Sequence, residues 1–515
     1  MKRIKRTMAK VLIPLACIML IVMVASCGGN QQTAQPRHTT PRVNISIAAP
    51  EGLPELDEFY ARIQIVEFFE EYTNTNIEFL WYGAGYWAQL PLMFASGNIP
   101  TVIVINPRDA NFVSAINGGG FWDLTDYIDR YPNLGSMNPA VRSNASLNGR
   151  LYGIPRSRAL GRNTFGIRED WLQNLGLNMP RTLDEFYEAL WAFTWMDPDG
   201  NGLNDTYGLG ITSFAGPWDM MQMWFGVPNG WGVLNGQLLP AHMHPEYDVA
   251  LNWFRRVVAD GLINPGWWEM PSGEWDALLR STAGATGDVF ERIRNAHEYN
   301  LNELGIADTW TYLRYIDTGY GIRVLPTAGF NDVIAISRSG APTEDIMLHT
   351  LGVLNATADL PIWQLFELGI EGRDWIIDDE GFVYQYSAAE REAMGVDPRT
   401  YRTGLNQFTP FFTSPANAAL RPPFRPPINE IRRFAAEMQT WNEDYVVANP
   451  GASFLSPTQA EHGGELNAVI NTMRIDFIRG VIDTTGLHAQ KEHWLRIGGQ
   501  DVINEVNELW RASQR

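Results

Sequence analysis

Apolar residues recur in two alternating rhythms over the first fifth of the chain. Residues 45–49 form a short apolar run of buried-strand type, residues 56–72 space their apolar positions three and four apart, and residues 77–81 return to a strand pattern. Helical spacing resumes over 89–95 and stops at Gly97, and residues 101–105 make a third strand. Alternating strands and helices predict a parallel α/β lobe, whose ligands sit beyond the carboxyl ends of the strands. That rule gathers Tyr86, Trp87, Asn106 and Arg108 beside a candidate cleft. Helical patterns dominate after residue 165, over 168–175, 182–195, 245–260, 344–355, 428–445 and 465–480. Thr182 and Glu185 have the spacing of a capping box, and Gly261 and Gly480 stand where helices stop. No repeat period or heptad runs through the chain.

The N-terminus follows neither rhythm. Lys2, Arg3, Lys5, Arg6 and Lys10 form a basic stretch, residues 11–24 are apolar with one break at Pro14, and Val24-Ala25-Ser26-Cys27 closes the segment. The apolar run falls short of the roughly 20 residues that span a bilayer. Its end resembles a lipobox, at which a signal peptide is cut and the Cys sulfur receives diacylglycerol. Residues 1–26 are therefore expected to be removed, with Cys27 lipidated and residues 27–43 serving as a flexible polar tether. This predicts a body held by lipid on the outer face of the cell membrane.

Removing residues 1–26 takes away those five basic residues and no acid, leaving 34 basic residues against 58 acids. Such a surface repels nucleic acid and anionic headgroups, so neither is expected as a partner. Cys17 and Cys27 are the only cysteines, so the mature body has no internal disulfide and must be stabilised by its cores. The 19 tryptophans are more informative, because many lie in Gly- and Pro-rich stretches. Trp81, Tyr82, Tyr86 and Trp87 interleave with Gly83 and Gly85, and Trp218, Trp224 and Trp231 with Gly216, Pro217, Gly226, Pro228 and Gly230. Aromatic faces on loops suit sugars, which have flat apolar faces and hydroxyl rims; for any one of these tryptophans partial burial in a large core is the alternative, and as a set they favour a carbohydrate cleft.

One segment has metal-ligand chemistry. Asp197, Asp199, Asn201 and Asp205 occupy positions 1, 3, 5 and 9 of an EF-hand-like loop, Gly202 takes position 6, and the Leu203 carbonyl supplies position 7. Thr206 follows the last acid, and position 12 is Gly208, so the bidentate Glu of an EF-hand is missing. A structural Ca²⁺ is expected, held by Asp197, Asp199, Asn201, Leu203, Asp205 and Thr206; either another segment completes the shell or the site is weak. Other constellations are weak. His242-x-His244 lacks a third metal ligand, Gly118-Gly119-Gly120 lacks a dinucleotide frame, and no nucleophile elbow or zinc helix occurs. Acid pairs such as Glu274 with Asp276, or Asp288 with Glu291, do not stand out as a glycosidase couple.

Several segments together resemble extracellular solute-binding proteins of the family 1 type, in particular the lipoprotein branch that binds alginate and other oligosaccharides for ABC importers. They are Phe94-Ala95-Ser96-Gly97-Asn98-Ile99-Pro100-Thr101-Val102, Gly120-Phe121-Trp122-Asp123-Leu124-Thr125-Asp126-Tyr127, Gly149-Arg150-Leu151-Tyr152-Gly153-Ile154-Pro155, and the run from Ile167-Arg168-Glu169-Asp170-Trp171-Leu172 to Leu183-Asp184-Glu185-Phe186. Asp260-Gly261-Leu262-Ile263-Asn264-Pro265 and Phe477-Ile478-Arg479-Gly480 extend it downstream. The branch also carries the calcium loop, commonly with Glu where this chain has Thr206.

The resemblance implies an α/β fold of the type II periplasmic-binding-protein kind, a two-lobed clamp with crossover hinge segments and a helix-rich second lobe. Lobe 1 would comprise 44–164 plus 325–358, and lobe 2 165–324 plus 359–515. It implies a monomer that captures an oligosaccharide without chemistry and hands it to ABC transporter permease subunits. Tyr86, Trp87, Trp218, Trp224 and Trp231 are the expected ring platforms, with Asn106, Arg156, Arg158 and Asp288 hydrogen-bonding the sugar. A carbohydrate-active surface enzyme and a ligand-sensing lipoprotein are the rival readings.

Overall fold

A computed structural model of the chain describes residues 40–50, 60–82, 85–396, 405–425 and 429–514, with the backbone alone for residues 60–63. The lipobox, Cys27 and the tether up to residue 39 lie outside the described residues. From Val43 onward the chain forms one unit. It is built on two mixed sheets of β1 (Val43–Ala49), β2 (Thr75–Trp81), β3 (Val102–Ile105), β4 (Ile154–Ser157), β5 (Asn163–Arg168), β6 (Tyr207–Leu209), β9 (Ala283–Val289), β10 (Trp310–Leu313) and β11 (Phe330–Ile336), with two hairpins, β7 (Trp231–Leu234) with β8 (Gln237–Pro240) and β12 (Trp375–Ile377) with β13 (Val383–Gln385).

The first sheet runs β2-β1-β3-β11-β4. Its first three strands are parallel, as their alternation with helices requires, with Ile45 opposite Ile77 and Ile47 opposite Val102. All four residues of β3 are buried, which explains its unbroken apolar run: both faces of a central parallel strand are covered. β11 arrives antiparallel from residues far along the chain and pairs with β3 and β4. The second sheet, β10-β5-β9-β6, is antiparallel except where β6 pairs with β9.

Each sheet has its own core. The first gathers Ile103, Val104, Phe112, Leu124 and Ile334, and the second Ile167, Trp171, Phe186, Phe193 and Phe254, each large side chain contributing about 1.5–3 kcal/mol on burial. A further cluster centred on Trp275, Phe290 and Trp310 extends lobe 2, as does another on Leu238, Leu466 and Trp494. Predicted helices appear with small boundary shifts, among them Leu183–Trp195, whose capping box between Thr182 and Glu185 is fully formed, and Pro245–Ala259, closed by Gly261 at φ 71°.

The expected division needs one correction. Residues 359–396 and 405–425, assigned above to lobe 2, build on lobe 1: Ile362, Phe366, Leu405, Phe408 and Phe412 enter its core, and Phe366 lies 5.1 Å from Phe69. Asn133 joins the two parts through bonds to Asp359 at 3.1 Å and from Asn417 at 3.1 Å. Contacts between residues this distant in sequence leave no local periodicity to read.

The chain passes between the sheets from β4 to β5 and from β10 to β11. The first passage is held by Asn442, whose Nδ2 donates to the carbonyls of Gly161 and Asn163 at 2.9 Å each. The stretch after the helix Glu430–Glu443 runs alongside: Val446 bridges to Val324, and Asn148 of lobe 1 donates its backbone N–H to Ser453 and accepts from Leu455. No helix among the described residues is long and apolar enough to cross a membrane.

Candidate ligand site

Where these segments run side by side lies a cavity of about 690 Å³. Lobe 1 supplies Arg108, from the loop after β3, with Asn144 and Phe330; the passage into β11 supplies residues 326–328. Lobe 2 supplies Trp231 from β7, His242, Asn467 and Trp494. The stretch holding Asn449, Gly451 and Phe454 forms another wall. The lining thus combines aromatic rings with amides, the mixture that places an apolar sugar face and satisfies a hydroxyl rim.

Trp231 is half-buried, and its position depends on a bare backbone opposite: a Cβ on Gly451 would stand 2.5 Å from the indole. Asn229 anchors the neighbouring turn by donating to Val447 O at 2.9 Å. Trp494 meets His242 edge-on, with ring centroids 4.4 Å apart. Burial pushes the His242 imidazole down to about 3, with Lys491 and His244 adding to the effect, so the ring is neutral near pH 7. Its Nε2 makes no hydrogen bond among the described residues. Arg108 is exposed to the cavity and donates to Ala452 O; its own N–H is held by Asn106 Oδ1 at 2.9 Å.

The structure distributes the expected site residues widely. Trp231 lines this cavity, and Asn106 positions the arginine that does. Tyr86 is fully buried and must be corrected from platform to core: its hydroxyl donates to Val104 O at 2.6 Å and accepts from Val104 N at 2.9 Å. Trp218 is likewise a core residue, wedged between Phe254 at 4.8 Å and Trp267 at 5.0 Å. Trp224 packs on Phe165 and Phe186 and reaches a second cavity of only about 50 Å³, too small for a sugar ring. Gly216 and Pro217 open the helix Gly216–Trp224 that carries both tryptophans, and Gly226 follows its end at φ 81°, so this Gly- and Pro-rich stretch is a packed helix rather than an exposed loop. Trp87 is exposed at the start of the helix Tyr86–Ser96, away from the cavity lining.

Arg156, Arg158 and Asp288 sit at strand ends, outside that lining. Arg156 is buried, donating to Gln407 Oε1 at 2.9 Å and lying 3.7 Å from Asp332. Arg158 stands over the Phe411 ring at 5.6 Å, and burial lowers its pKa. Asp288 is ion-paired with Arg292, which also holds Asp276. Asn449, Asn467 and Trp494 are cavity residues that the sequence did not single out, and His242 was considered there only as a weak metal-ligand candidate. All lie more than 100 residues from Arg108, so no motif spacing joins them.

The loop after the helix Leu183–Trp195 brings its oxygens together. Asn201 Nδ2 donates to Asp199 at 2.9 Å and Asp205 at 3.2 Å, while the N–H groups of Asn201 and Gly202 donate to Asp197 at 3.1 and 3.0 Å. Gly202 allows this wrap at φ 79°. Desolvation and then the neighbouring carboxylates raise the Asp199 pKa, although a backbone bond from Asn201 opposes the rise. Hard oxygen donors crowded in this way suit a hard cation. Among the described residues, no three His, Cys, Asp or Glu side chains stand as a ready-made metal cage. Leu203 exposes its side chain, leaving only its carbonyl for the loop. Thr206 leaves the expected ligand set, because it is buried and its hydroxyl donates to Phe193 O at 2.8 Å. Gly208 is inside the body, where a Cβ would meet Leu190 O at 2.3 Å, so position 12 supplies no ligand.

Known proteins resemble the chain over almost its full length. Residues 53–277 match the family model described as bacterial extracellular solute-binding protein. Lipoprotein LipO of Bacillus subtilis is 30% identical over 98% of this chain and 98% of its own. The polygalacturonan/rhamnogalacturonan-binding protein YtcQ of the same organism is 27% identical over 96% of this chain and 99% of its own. Among solved structures, the Streptococcus pneumoniae ABC-transporter substrate-binding protein FusA, as an EF-hand mutant with fructo-nystose, superposes with a TM-score of 0.63 at 18% identity, covering 92% of this chain and 99% of that one. Two mixed α/β lobes around a shared cavity, with relatives matching from end to end, make this chain a member of the bacterial extracellular solute-binding proteins.

Proposed function

We propose that the chain captures an oligosaccharide in the 690 Å³ cavity and presents it to the permease of an ABC importer. The observation that carries this reading is the cavity itself, to which both lobes and the passages between them contribute. Trp231 and Phe330 offer ring faces, and Asn449 and Asn467 offer amides that both donate and accept. The sugar-binding names of YtcQ and FusA support a carbohydrate over a peptide. The reading makes the protein a receptor: the described lining is rich in rings and amides suited to holding a sugar, and the binding-protein names of YtcQ and FusA support capture.

Ligand contacts made by both lobes favour the closed arrangement only by their difference in affinity for the two states. Lipidation at Cys27 keeps the receptor beside its permease, a role that the lipoprotein name of LipO supports. Asp197, Asp199, Asn201, Asp205 and the Leu203 carbonyl would hold a structural Ca²⁺, consistent with an EF-hand in FusA. The ion would neutralise the crowded carboxylates and tie the helix Leu183–Trp195 to β6.

The test is isothermal titration of the full chain in detergent, with Ca²⁺ present, against separate pools of neutral and uronic-acid oligosaccharides. Saturable heat with one pool is the expected outcome. Heat that continues after each injection would mean turnover and replace the receptor reading by an enzyme. Silence with every pool would remove the carbohydrate.

A further inference from the structure

Among the described residues that line the cavity there is no Asp or Glu, and His242 is held neutral by burial, so the guanidinium of Arg108 is the one ion among them. This is unusual in a chain with 58 acids and 39 basic residues. Several arginines elsewhere find acids: Arg142 pairs with Asp129 at 2.7 Å, Arg150 with Asp123 at 3.1 Å and Arg162 with Glu291 at 3.2 Å. Arg108 has no carboxylate partner among the described residues; its hydrogen bond goes to the Ala452 carbonyl.

The adjacent acid explains why. Asp109 is turned away and spent on capping the helix Ala110–Asn117, its Oδ1 accepting from Asn111 N at 2.9 Å and Phe112 N at 3.1 Å. One carbonyl leaves most of the five N–H donors of a guanidinium without a partner. The side chain is exposed to the cavity, so its remaining donors face whatever fills it, and a carboxylate compensates a cation better than sugar hydroxyls do. The planar fork matches a carboxylate with two parallel bonds.

We propose that Arg108 makes the cavity selective for acidic saccharides by receiving the carboxylate of a uronic acid residue. This rests on the carbohydrate reading above and adds the sign of the ligand's charge and the residue that reads it. Amides and rings then hold the neutral remainder of the oligosaccharide, and Asn106 positions Arg108 through its backbone N–H.

Trigalacturonate and its fully methyl-esterified form share a skeleton and differ in charge, so titrating each against the full chain tests the proposal. The parent should bind the acid at least tenfold more tightly than the ester. Arg108→Gln should bring the acid-to-ester ratio close to one, and Arg108→Lys should recover part of it, since a point charge replaces the fork. A misfolded variant would lose both ligands alike and show a lowered melting temperature, which makes the ratio the deciding quantity. Equal affinity of the parent for acid and ester, or an unchanged ratio in Arg108→Gln, would overturn the proposal. Binding of neutral oligosaccharides alone would overturn it while leaving the sugar receptor intact. Silence with all saccharides would overturn both.

Discussion

Trp231, Tyr86 and His242 illustrate how differently three aromatic residues in one chain behave. Trp231 stands half-buried at the cavity, so Trp231→Ala should weaken saccharide binding by about 1–3 kcal/mol, a typical loss for an anchoring ring, measured by titration calorimetry. An unchanged affinity would remove it from the site. Tyr86 serves the core, and Tyr86→Phe leaves Val104 N–H and C=O without their partner. Denaturant unfolding should register a loss of about 1–3 kcal/mol with no change in ligand affinity. The pH dependence of stability belongs to His242. Its folded pKa, about 3, lies below the ordinary value of 6.5, so the unfolded chain takes up the proton first. The stability it contributes is complete above pH 6.5 and is lost as the pH falls from there toward 3. His242→Gln should flatten that part of the stability profile relative to the parent; an identical slope would show that the ring titrates normally.

The calcium prediction belongs to an element, the turn between the helix Leu183–Trp195 and β6. Asp199 and Asp205 both accept from Asn201 there, and desolvation first, with the neighbouring Asp197 and Asp205 adding to it, raises the Asp199 pKa. Added Ca²⁺ should raise the melting temperature of the parent, chelation should reverse the gain, and Asp199→Asn should reduce the response. A parent indifferent to both treatments would refute the site. Local sequence carried much of this level. Thr182 and Glu185 close a capping box because an Ncap hydroxyl and an N3 carboxylate satisfy each other's neighbouring N–H groups, an arrangement that four consecutive positions encode. Thr206 was misread for a comparable reason: its spacing suits a ligand, but the buried helix end beside it takes its hydroxyl.

Across the whole molecule, the lobes meet at segments that bend rather than pack as sheets. If the ligand bridges Arg108 on lobe 1 and Trp231 on lobe 2, saturation should reduce the radius of gyration in solution scattering. Arg108→Gln should blunt that change at equal acidic-ligand concentration. A radius unaffected by saturating ligand would mean that capture proceeds without closure.

The sequence by itself determined the three parallel strands, most helices, the oxygen-rich loop and the family, because each depends on neighbours a few positions apart or on short segments matched whole. Only the tertiary structure decided which tryptophans are core, which lobe residues 359–396 and 405–425 join, and that Arg108 faces the cavity. Trp218 and Trp231 have similar local surroundings in sequence; what differs is that Phe254 and Trp267 close over the first, while Gly451 leaves the second facing a cavity. Burial and charge pairing are properties of contacts between distant residues, and they exist only once both lobes have folded.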